Sequence, residues 1–383
     1  MEKTMKSERL LSLDVMRGMT IAVMILVNNP AVWGKAYAPL QHAFWHGMTP
    51  TDLIYPFFVF IMGVSAFFSL SKRYEGAGRE AFSRILRRSA VIFGVGLLLQ
   101  EISYFGYGTA NFLSGQTPAG ATWFETAFPF RTFRIMGVLQ GLALAYLFGS
   151  AALLCLRFRH LIAAAGGLLL LYLVLLQTGN GYSLSADNII AVVDWAVLGE
   201  SHLYREWLPD GSRLAFEPEG LLSTLPRIAQ FLLGCAAGRI LLAKEDAPMR
   251  FGRLFAFGTA LLFAGLLLQY GDPLNKKIWS SSFALTTSGF ASLLLGLLCW
   301  VIDLRKQVRW TGFFGVNPLF LYVSAWVLSV VLGALSIKSW FYTTLIDPLF
   351  GDASGSLVYS LCFILLVWSL GLVLYRRKIY IKI

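Results

Sequence analysis

Two histidines, His42 and His46, lie four residues apart in a short polar stretch that leads into the carboxylate of Asp52. An imidazole beside a carboxylate is the usual protein base near neutral pH, and histidine can also accept an acyl group. The same spacing suits two metal ligands, although no HExxH motif and no further His or Cys lies nearby. Loop packing would also explain both histidines, and Asp52 could simply cap the helix that contains Pro56. The spacing alone therefore leaves acid–base chemistry, metal binding and packing open.

A second polar group lies on the first apolar segment. Asp14 and Arg17 are three residues apart and would share one face of a helix. They could form an ion pair that tolerates burial, or Asp14 could hold a histidine or amide network or position a ligand. Asn28 follows Asp14 by about four helical turns and returns to nearly the same face. Ionisable groups near lipid are costly and usually functional, so this polar stripe predicts a cavity inside a bundle.

The composition predicts the elements that position these residues. Of 383 residues, 57% are hydrophobic and 14% are charged, whereas about a quarter of a soluble domain is charged. We therefore predict an all-α, polytopic integral membrane helix bundle that forms a single domain over residues 1–383. A bilayer is spanned by about 20 apolar residues. This length predicts ten transmembrane helices, at about 13–33, 52–71, 86–104, 133–156, 160–177, 222–243, 252–270, 280–302, 312–336 and 355–375.

The net charge of +11 comes from short basic clusters between the apolar spans, which is typical of cytoplasmic loops and not of nucleic-acid binding. The clusters alternate with loops poor in Lys and Arg, so both termini are predicted to be cytoplasmic. The lysine-containing start resembles the n-region of a signal peptide, but we interpret it as leading into a retained first helix. The basic loops would also attract the phosphates of coenzyme A, although the topology rule predicts them equally well. Extracytoplasmic loops are predicted at about 34–51, 105–132 and 178–221.

Other chemistry is weakly supported by the sequence. The four cysteines lie inside apolar runs without CxxC spacing, so they are predicted to be core residues and not a disulfide or metal site. No Walker loop, dinucleotide fingerprint or GxSxG elbow is present.

Several stretches together resemble the catalytic membrane region of the heparan-α-glucosaminide N-acetyltransferase family. The first runs from Arg9 through Asp14, Arg17 and Gly18, and the next from His42 through Asp52 to Gly63. Further similar stretches follow in the same order along nearly the whole chain: Val27-Asn28, 134–140, 198–204, 217–222, 232–241, 275–280 and 315–317. On this resemblance we expect no counterpart of the family's amino-terminal luminal domain and its extra span, as in bacterial members.

The resemblance implies transfer of an acetyl group from cytoplasmic acetyl-CoA to the amine of a terminal glucosamine on the far side of the membrane. His42 matches the catalytic histidine, and Asp14 and Asn28 match functionally important polar positions. The matching stretches give the remaining candidates for binding acetyl-CoA or the acceptor: Arg17, His46, Asp52, Arg134, Gln140, Glu217, Glu219, Asn275, Lys276, Trp279 and Asn317. The chain departs from the family pattern at Met136, at Gly141 where an arginine is typical, and at His46 where the lysosomal enzyme has asparagine.

Chemically, His42 could act as the base in direct transfer or as an acetyl acceptor in a relay, and Asn28 could stabilise the developing oxyanion. We favour direct transfer, because no second base is apparent for a relay. A sugar permease and an O-acyltransferase of a surface polysaccharide are the alternative functions. We expect acetyl-CoA as co-substrate, no metal, an amino-sugar acceptor, a homodimer, and the bacterial cytoplasmic (inner) membrane as location.

Overall fold

The computed structural model describes residues 10–70, 78–306 and 317–379, which are almost entirely helical. One short antiparallel pair of strands interrupts the helices, with Arg205 opposite Ala215. The elements in chain order are α1 Leu11–Asn28, α2 Ile54–Leu70, α3 Arg79–Leu113, α4 Trp123–Ala127, α5 Val138–Cys155, α6 Phe158–Thr178, α7 Ile189–Leu198, β1 Arg205–Trp207, β2 Arg213–Ala215, α8 Thr224–Leu241, α9 Ala247–Leu268, α10 Ser281–Leu298, α11 Pro318–Ala334, α12 Ile337–Phe341, α13 Asp347–Phe350 and α14 Asp352–Arg376.

The predicted all-α membrane bundle is confirmed, and each of the ten predicted spans contains a long helix. Within the described ranges, eight helical segments are long and apolar enough to cross a membrane. The pair Pro318–Ala334 and Ile337–Phe350 would be a ninth span, bent by 80° at its break. The remaining predicted span, 222–243, corresponds to α8, which is not apolar enough to qualify. All ten predicted spans therefore coincide with a long helix, and at most nine of these helices are apolar enough to cross a membrane.

α8 is less apolar because it lies in the middle of the bundle and not against lipid. Most of its side chains are buried against α2, α5 and α6, including those of Arg227 and Gln230. Gly63 of α2 and Gly234 of α8 allow the two helices to touch: a Cβ atom at Gly63 would lie 2.1 Å from the Phe231 carbonyl oxygen. Small residues permit such close approach between membrane helices.

Two helices differ in extent from the predicted spans in ways that matter for the site. α3 is 35 residues long and continues through the first part of the loop predicted at 105–132, ending at Leu113. At its other end α3 begins at Arg79, before the predicted span 86–104. An exposed ion pair between Glu80 and Arg84 supports these added turns. α5 begins only at Val138, because residues 133–137 are not helical and carry Arg134 into the loop layer.

The loop predicted at 178–221 contains α7 and the two strands, and it packs on one end of the bundle. Its aromatic and apolar residues form a small core around Tyr172, Ile190, Phe216 and Ile278. Part of the basic clusters lies outside the described residues: Lys3, Lys6, Arg9, Lys72, Arg73, Arg309 and Lys382. The same holds for Gly315 and Val316 of the family-like stretches. The cytoplasmic location of both termini and the side of the membrane on which each loop lies remain predictions.

Candidate functional site

A cavity of about 470 Å³ lies between α1, α2, α3, α11 and the loops at one end of the bundle. It brings together five of the predicted site residues, which come from distant parts of the chain: Asn28, His42, Arg134, Glu219 and Lys276. On the predicted topology this end is extracytoplasmic, so we call the space the outer cavity.

His42 and Asp52 form a close pair at the wall of the outer cavity. Nδ1 of His42 lies 2.7 Å from Oδ1 of Asp52. The second carboxylate oxygen accepts hydrogen bonds from the backbone N–H of Thr49 at 2.9 Å and of Ala43 at 3.2 Å. The Asp52 side chain is fully buried, whereas 38% of the His42 side chain is exposed. Because a carboxylate only accepts hydrogen bonds, Asp52 fixes the proton of neutral His42 on Nδ1 and leaves Nε2 as the basic atom.

The pair forms for a local reason. Thr49 precedes a short 3₁₀ turn, Pro50–Leu53, and Asp52 caps that turn by accepting from Thr49. The capping role expected for Asp52 is therefore present, and it coexists with the contact to His42 because each carboxylate oxygen serves a different partner.

Lys276 also contacts the imidazole of His42. Its ammonium nitrogen is 3.3 Å from both Nδ1 and Nε2 of His42. Burial lowers the pKa of Lys276, while the nearby carboxylates of Glu219 and Asp52 raise it. The imidazole therefore has an anion at one nitrogen and a cation close to both.

Arg134, which also lines the outer cavity, pairs with two buried carboxylates. Its guanidinium donates to Glu217 from Nε at 2.9 Å and to Glu219 from Nη2 at 2.8 Å. Tyr204 adds a backbone donor to Glu217 at 3.2 Å, and its ring lies 4.9 Å from the guanidinium carbon.

Burial raises the pKa of the Glu217 carboxyl despite Arg134. Burial acts on Glu219 in the same direction, but Arg134, Lys276 and Arg227 outweigh it and lower its pKa. Of the two carboxyls, Glu219 reaches the cavity.

Asn28 is the last residue of α1, and its exposed side chain lines the outer cavity. The neighbouring Asn29 is buried and donates its amide to the Ile25 carbonyl at 2.8 Å. Asn29 therefore completes the helix end, and Asn28 offers an amide to the cavity.

A second cavity of about 480 Å³ lies deeper in the bundle, and we call it the inner cavity. Arg17 and Arg88 are its cations, and its other walls are mostly apolar. Arg17 donates to Asp14 at 3.0 Å and to Ser65 at 2.9 Å, so the predicted ion pair of the first helix is present. Four side chains line both cavities and form what we call the neck: Met24, Phe58, Val138 and Tyr322.

Nine of the predicted site residues do not line the outer cavity. Asp52 contacts His42, and Glu217 contacts Arg134. Asp14 contacts Arg17, which lines the inner cavity. Asn275 is buried and accepts backbone hydrogen bonds within its own loop, and Asn317 donates to the Ile379 carbonyl at 2.9 Å. Trp279 is packed in the core with its indole N–H on Gln230 at 3.1 Å. The remaining two are Gln140, which is buried between α3 and α5, and His46, which lies beside Trp45 and Asn275.

The positions of the two histidines distinguish them, because His46 lies away from the outer cavity. Its Nδ1 is 3.5 Å from the Asn275 amide nitrogen, and burial lowers its pKa. His42, with its carboxylate partner, is the histidine at the cavity. Within the described ranges no group of three or more His, Cys, Asp or Glu side chains could hold a metal ion.

The sequence reasoning missed most of the cavity wall. Aromatic side chains from four parts of the chain line it: Trp33, Tyr107, Tyr204, Tyr322 and Trp326. Lys338, after the break in the bent span, lines it as well. These aromatic residues resemble the many others in the chain, so no sequence pattern separated them. Lys338 could have been noticed as a cation two residues beyond the end of the predicted span 312–336.

The departure from the family pattern at Gly141 has a structural counterpart. A Cβ atom at Gly141 would lie 2.7 Å from Nη1 of Arg227 and 2.5 Å from the Tyr55 hydroxyl. The guanidinium of Arg227 therefore occupies the space beside residue 141. Met136, the other departure, is buried, and its carbonyl accepts from Gln100 at 2.9 Å.

Asp194 on α7 gives a prediction about stability. Its side chain is fully buried, and burial raises the pKa of Asp194 to about 7 from 3.8. The folded state thus binds this proton more tightly than the unfolded chain, so stability is lost as pH rises from about 4 to about 7, by up to about 4 kcal/mol. We expect Asp194→Asn to flatten the pH dependence of the melting temperature over this range.

The measurement is a series of thermal melts in detergent between pH 4 and pH 8. Glu200→Gln removes an exposed carboxylate of the same loop and is the matched control, with a wild-type slope expected. An Asp194→Asn protein with the same slope as wild type would contradict a protonated Asp194.

The sequence profile of the heparan-alpha-glucosaminide N-acetyltransferase catalytic domain matches residues 9–270 of the chain, more than two thirds of its length. The chain belongs to this family. It is 28% identical over 370 residues to heparan-alpha-glucosaminide N-acetyltransferase of Homo sapiens, covering 82% of this chain and 52% of the human protein. The Mus musculus enzyme is 27% identical over 378 residues, covering 84% and 54%. The chain spans about half the length of these curated relatives.

Membership in this transmembrane acetyltransferase family agrees with the resemblance noted from the motifs. The matched region includes His42, Asp52, Arg134 and Glu219. Lys276 and the helices α11 to α14 lie beyond it. The outer cavity is therefore lined both by residues inside the matched region 9–270 and by residues that follow it.

Proposed function

We propose that this member of the N-acetyltransferase family moves the acetyl group of cytoplasmic acetyl-CoA to the amine of an extracytoplasmic amino sugar. The observation that carries the proposal is the buried Asp52 carboxylate on Nδ1 of His42, whose partly exposed ring lines the outer cavity. A thioester is already activated, so the enzyme needs mainly a base for the acceptor ammonium and a means of bringing the two reactants together.

His42 is the proposed base. Nε2 would take a proton from the ammonium of the acceptor, whose free amine then attacks the carbonyl carbon. General base catalysis of this kind typically raises the reaction rate by about 10²–10⁴-fold. Asn28 is the proposed donor to the oxygen that becomes negative, because its amide faces the same cavity.

The proposed route for the donor is through the inner cavity. Arg17 and Arg88 supply positive charge for phosphate groups, and the apolar walls suit a pantetheine arm. The two cavities share the four side chains of the neck, which supports a route by which a thioester at the end of that arm reaches His42 from the side opposite the acceptor. The acceptor would lie among the aromatic side chains of the outer cavity, as sugars commonly pack against rings.

We favour direct transfer with both substrates bound. Within the described ranges His42 is the histidine that lines the outer cavity, and a relay through acetyl-His42 would need a second base for the amine. A relay would leave a labelled enzyme after incubation with labelled acetyl-CoA alone, and direct transfer would not.

The test uses the purified protein with acetyl-CoA and glucosamine, and it measures free CoA thiol together with N-acetylglucosamine. We expect thiol release that requires both substrates. Sugar uptake into proteoliposomes without any CoA would instead indicate a permease. Acetylation of N-acetylglucosamine, whose amine is blocked, would indicate an O-acyltransferase.

A further inference from the structure

The ammonium group of Lys276 occupies an unusual position relative to His42. It is 3.3 Å from Nδ1 and equally 3.3 Å from Nε2. A point equidistant from both nitrogens cannot lie along the lone pair of either one. In the ring plane it would collide with the carbon between them, so the ammonium lies over the ring face. Its charge therefore acts on the whole ring and leaves the Nε2 lone pair free for a substrate.

The loop around Lys276 is built to hold that position. Oδ1 of Asn275 accepts from the backbone N–H of Lys277 at 2.8 Å, and the ammonium of Lys277 pairs with Glu206 at 3.0 Å. Trp279 has a φ of 52°, which is uncommon for a residue other than glycine, and its indole is fixed in the core. Asn275 and Lys277 thus support the loop, and Lys276 alone of these three lines the outer cavity.

The charges near His42 oppose one another. Asp52, at 2.7 Å, favours a protonated imidazole, and Lys276 disfavours it because two cations would lie in close contact. The other charged or titratable groups of the outer cavity are more evenly balanced, with Arg134 held by Glu217 and Glu219. The remaining ones lining it are Tyr55, Tyr107, Tyr204, Tyr322 and Lys338.

We propose that Lys276 is a positioning residue that keeps His42 neutral, and therefore able to accept a proton, by holding a positive charge over its ring. The consequence for catalysis rests on the proposed acetyl transfer. His42 takes one proton from the acceptor ammonium, the nitrogen–carbon bond forms and the carbon–sulfur bond breaks. The departing thiolate takes up a proton, and one proton is released overall as the amine becomes an amide. The imidazolium beside Lys276 is disfavoured, so His42 passes its proton on and is restored for the next cycle.

The experiment measures the protonation of His42 directly, without any acetyl transfer. Diethylpyrocarbonate reacts with neutral imidazole, and peptide mass spectrometry can follow the rate at His42 from pH 5.5 to pH 8.5. In Lys276→Met we expect the midpoint of this pH dependence to move upward by about one pH unit, because the opposing cation is gone. Lys276→Arg keeps a cation and is expected to stay near the wild-type midpoint.

Lys277→Met is the matched control, because it removes a cation from the same loop that pairs with Glu206 instead of facing His42. Its midpoint should be that of wild type. An unchanged midpoint in Lys276→Met, with the protein still monodisperse, would overturn the proposal. An equal shift in Lys277→Met would also overturn it, because the shift would then reflect the loss of any positive charge in the loop and not the position of Lys276 over the His42 ring. A shifted midpoint in a protein that transfers no acetyl group would support Lys276 and refute the proposed function separately.

Discussion

Replacement of His42 with alanine is expected to abolish acetyl transfer, with a loss of about 10²–10⁴-fold, while the protein remains folded and still binds CoA. The variant removes the basic Nε2 at the outer cavity but leaves the cavities and the neck in place. The acceptor amine would then lose its proton only to solvent. The measurement is the rate of CoA thiol release with both acetyl-CoA and glucosamine at saturating concentrations.

His46→Ala is the matched control, because it removes a histidine four residues away that does not line the outer cavity. We expect a milder loss there, caused only by poorer packing beside Trp45 and Asn275. Full activity in His42→Ala would remove His42 from the mechanism. Equal losses in the two variants would mean that the choice between the histidines was wrong.

The contact of His42 with Asp52 could be anticipated from the sequence because it is local. The two residues are ten apart, and the intervening turn is closed by a threonine and a proline with recognisable capping chemistry. The ion pair of Asp14 with Arg17 is local in the same sense, since one helix turn dictates it. The bundle itself was predictable because apolar segments of sufficient length have few alternatives in a bilayer.

Long-range partners could not be derived in this way. Arg134 meets Glu217 across 83 residues, and Lys276 meets His42 across 234. Nothing local indicates which carboxylate pairs with which cation, since that depends on how the outer loops pack over the helices. The family resemblance supplied these positions as candidates, but the same reasoning placed Trp279 and Asn275 among them, and both support the loop from within the core.

The helix α8 shows how a composition rule can miscount a bundle. An apolar composition is needed where a helix faces lipid, whereas α8 is buried among other helices, where Arg227 and Gln230 hydrogen-bond to protein groups. Arg227 donates to the Pro218 carbonyl at 2.8 Å and lies beside Gly141. Its burial thus links α8 to the loop that carries Glu219, which a hydropathy count cannot detect.

The second large effect is expected from closing the neck. Val138 is the smallest of the four side chains shared by the two cavities, and it stands at the first turn of α5. In Val138→Trp, the indole would fill the space between Phe58 and Tyr322 and keep the thioester away from His42. A misplacement of reacting atoms by about 1 Å can cost about 10²-fold, so we expect at least that loss in acetyl transfer. The cost of overpacking, about 1–3 kcal/mol, can be followed by the melting temperature.

The control separates a closed passage from a damaged fold. Val331→Trp adds the same side chain at an exposed position of α11, facing outward from the bundle, and is expected to keep the wild-type rate. His42 in the Val138→Trp protein should still react with diethylpyrocarbonate at the wild-type rate, because the outer cavity stays open to solvent on its own side. Unimpaired transfer in Val138→Trp would show that the acetyl donor reaches His42 by another path. Loss of both transfer and His42 reactivity would show that the indole had disturbed the outer cavity itself, and only the combination of lost transfer with a reactive His42 supports a route through the neck.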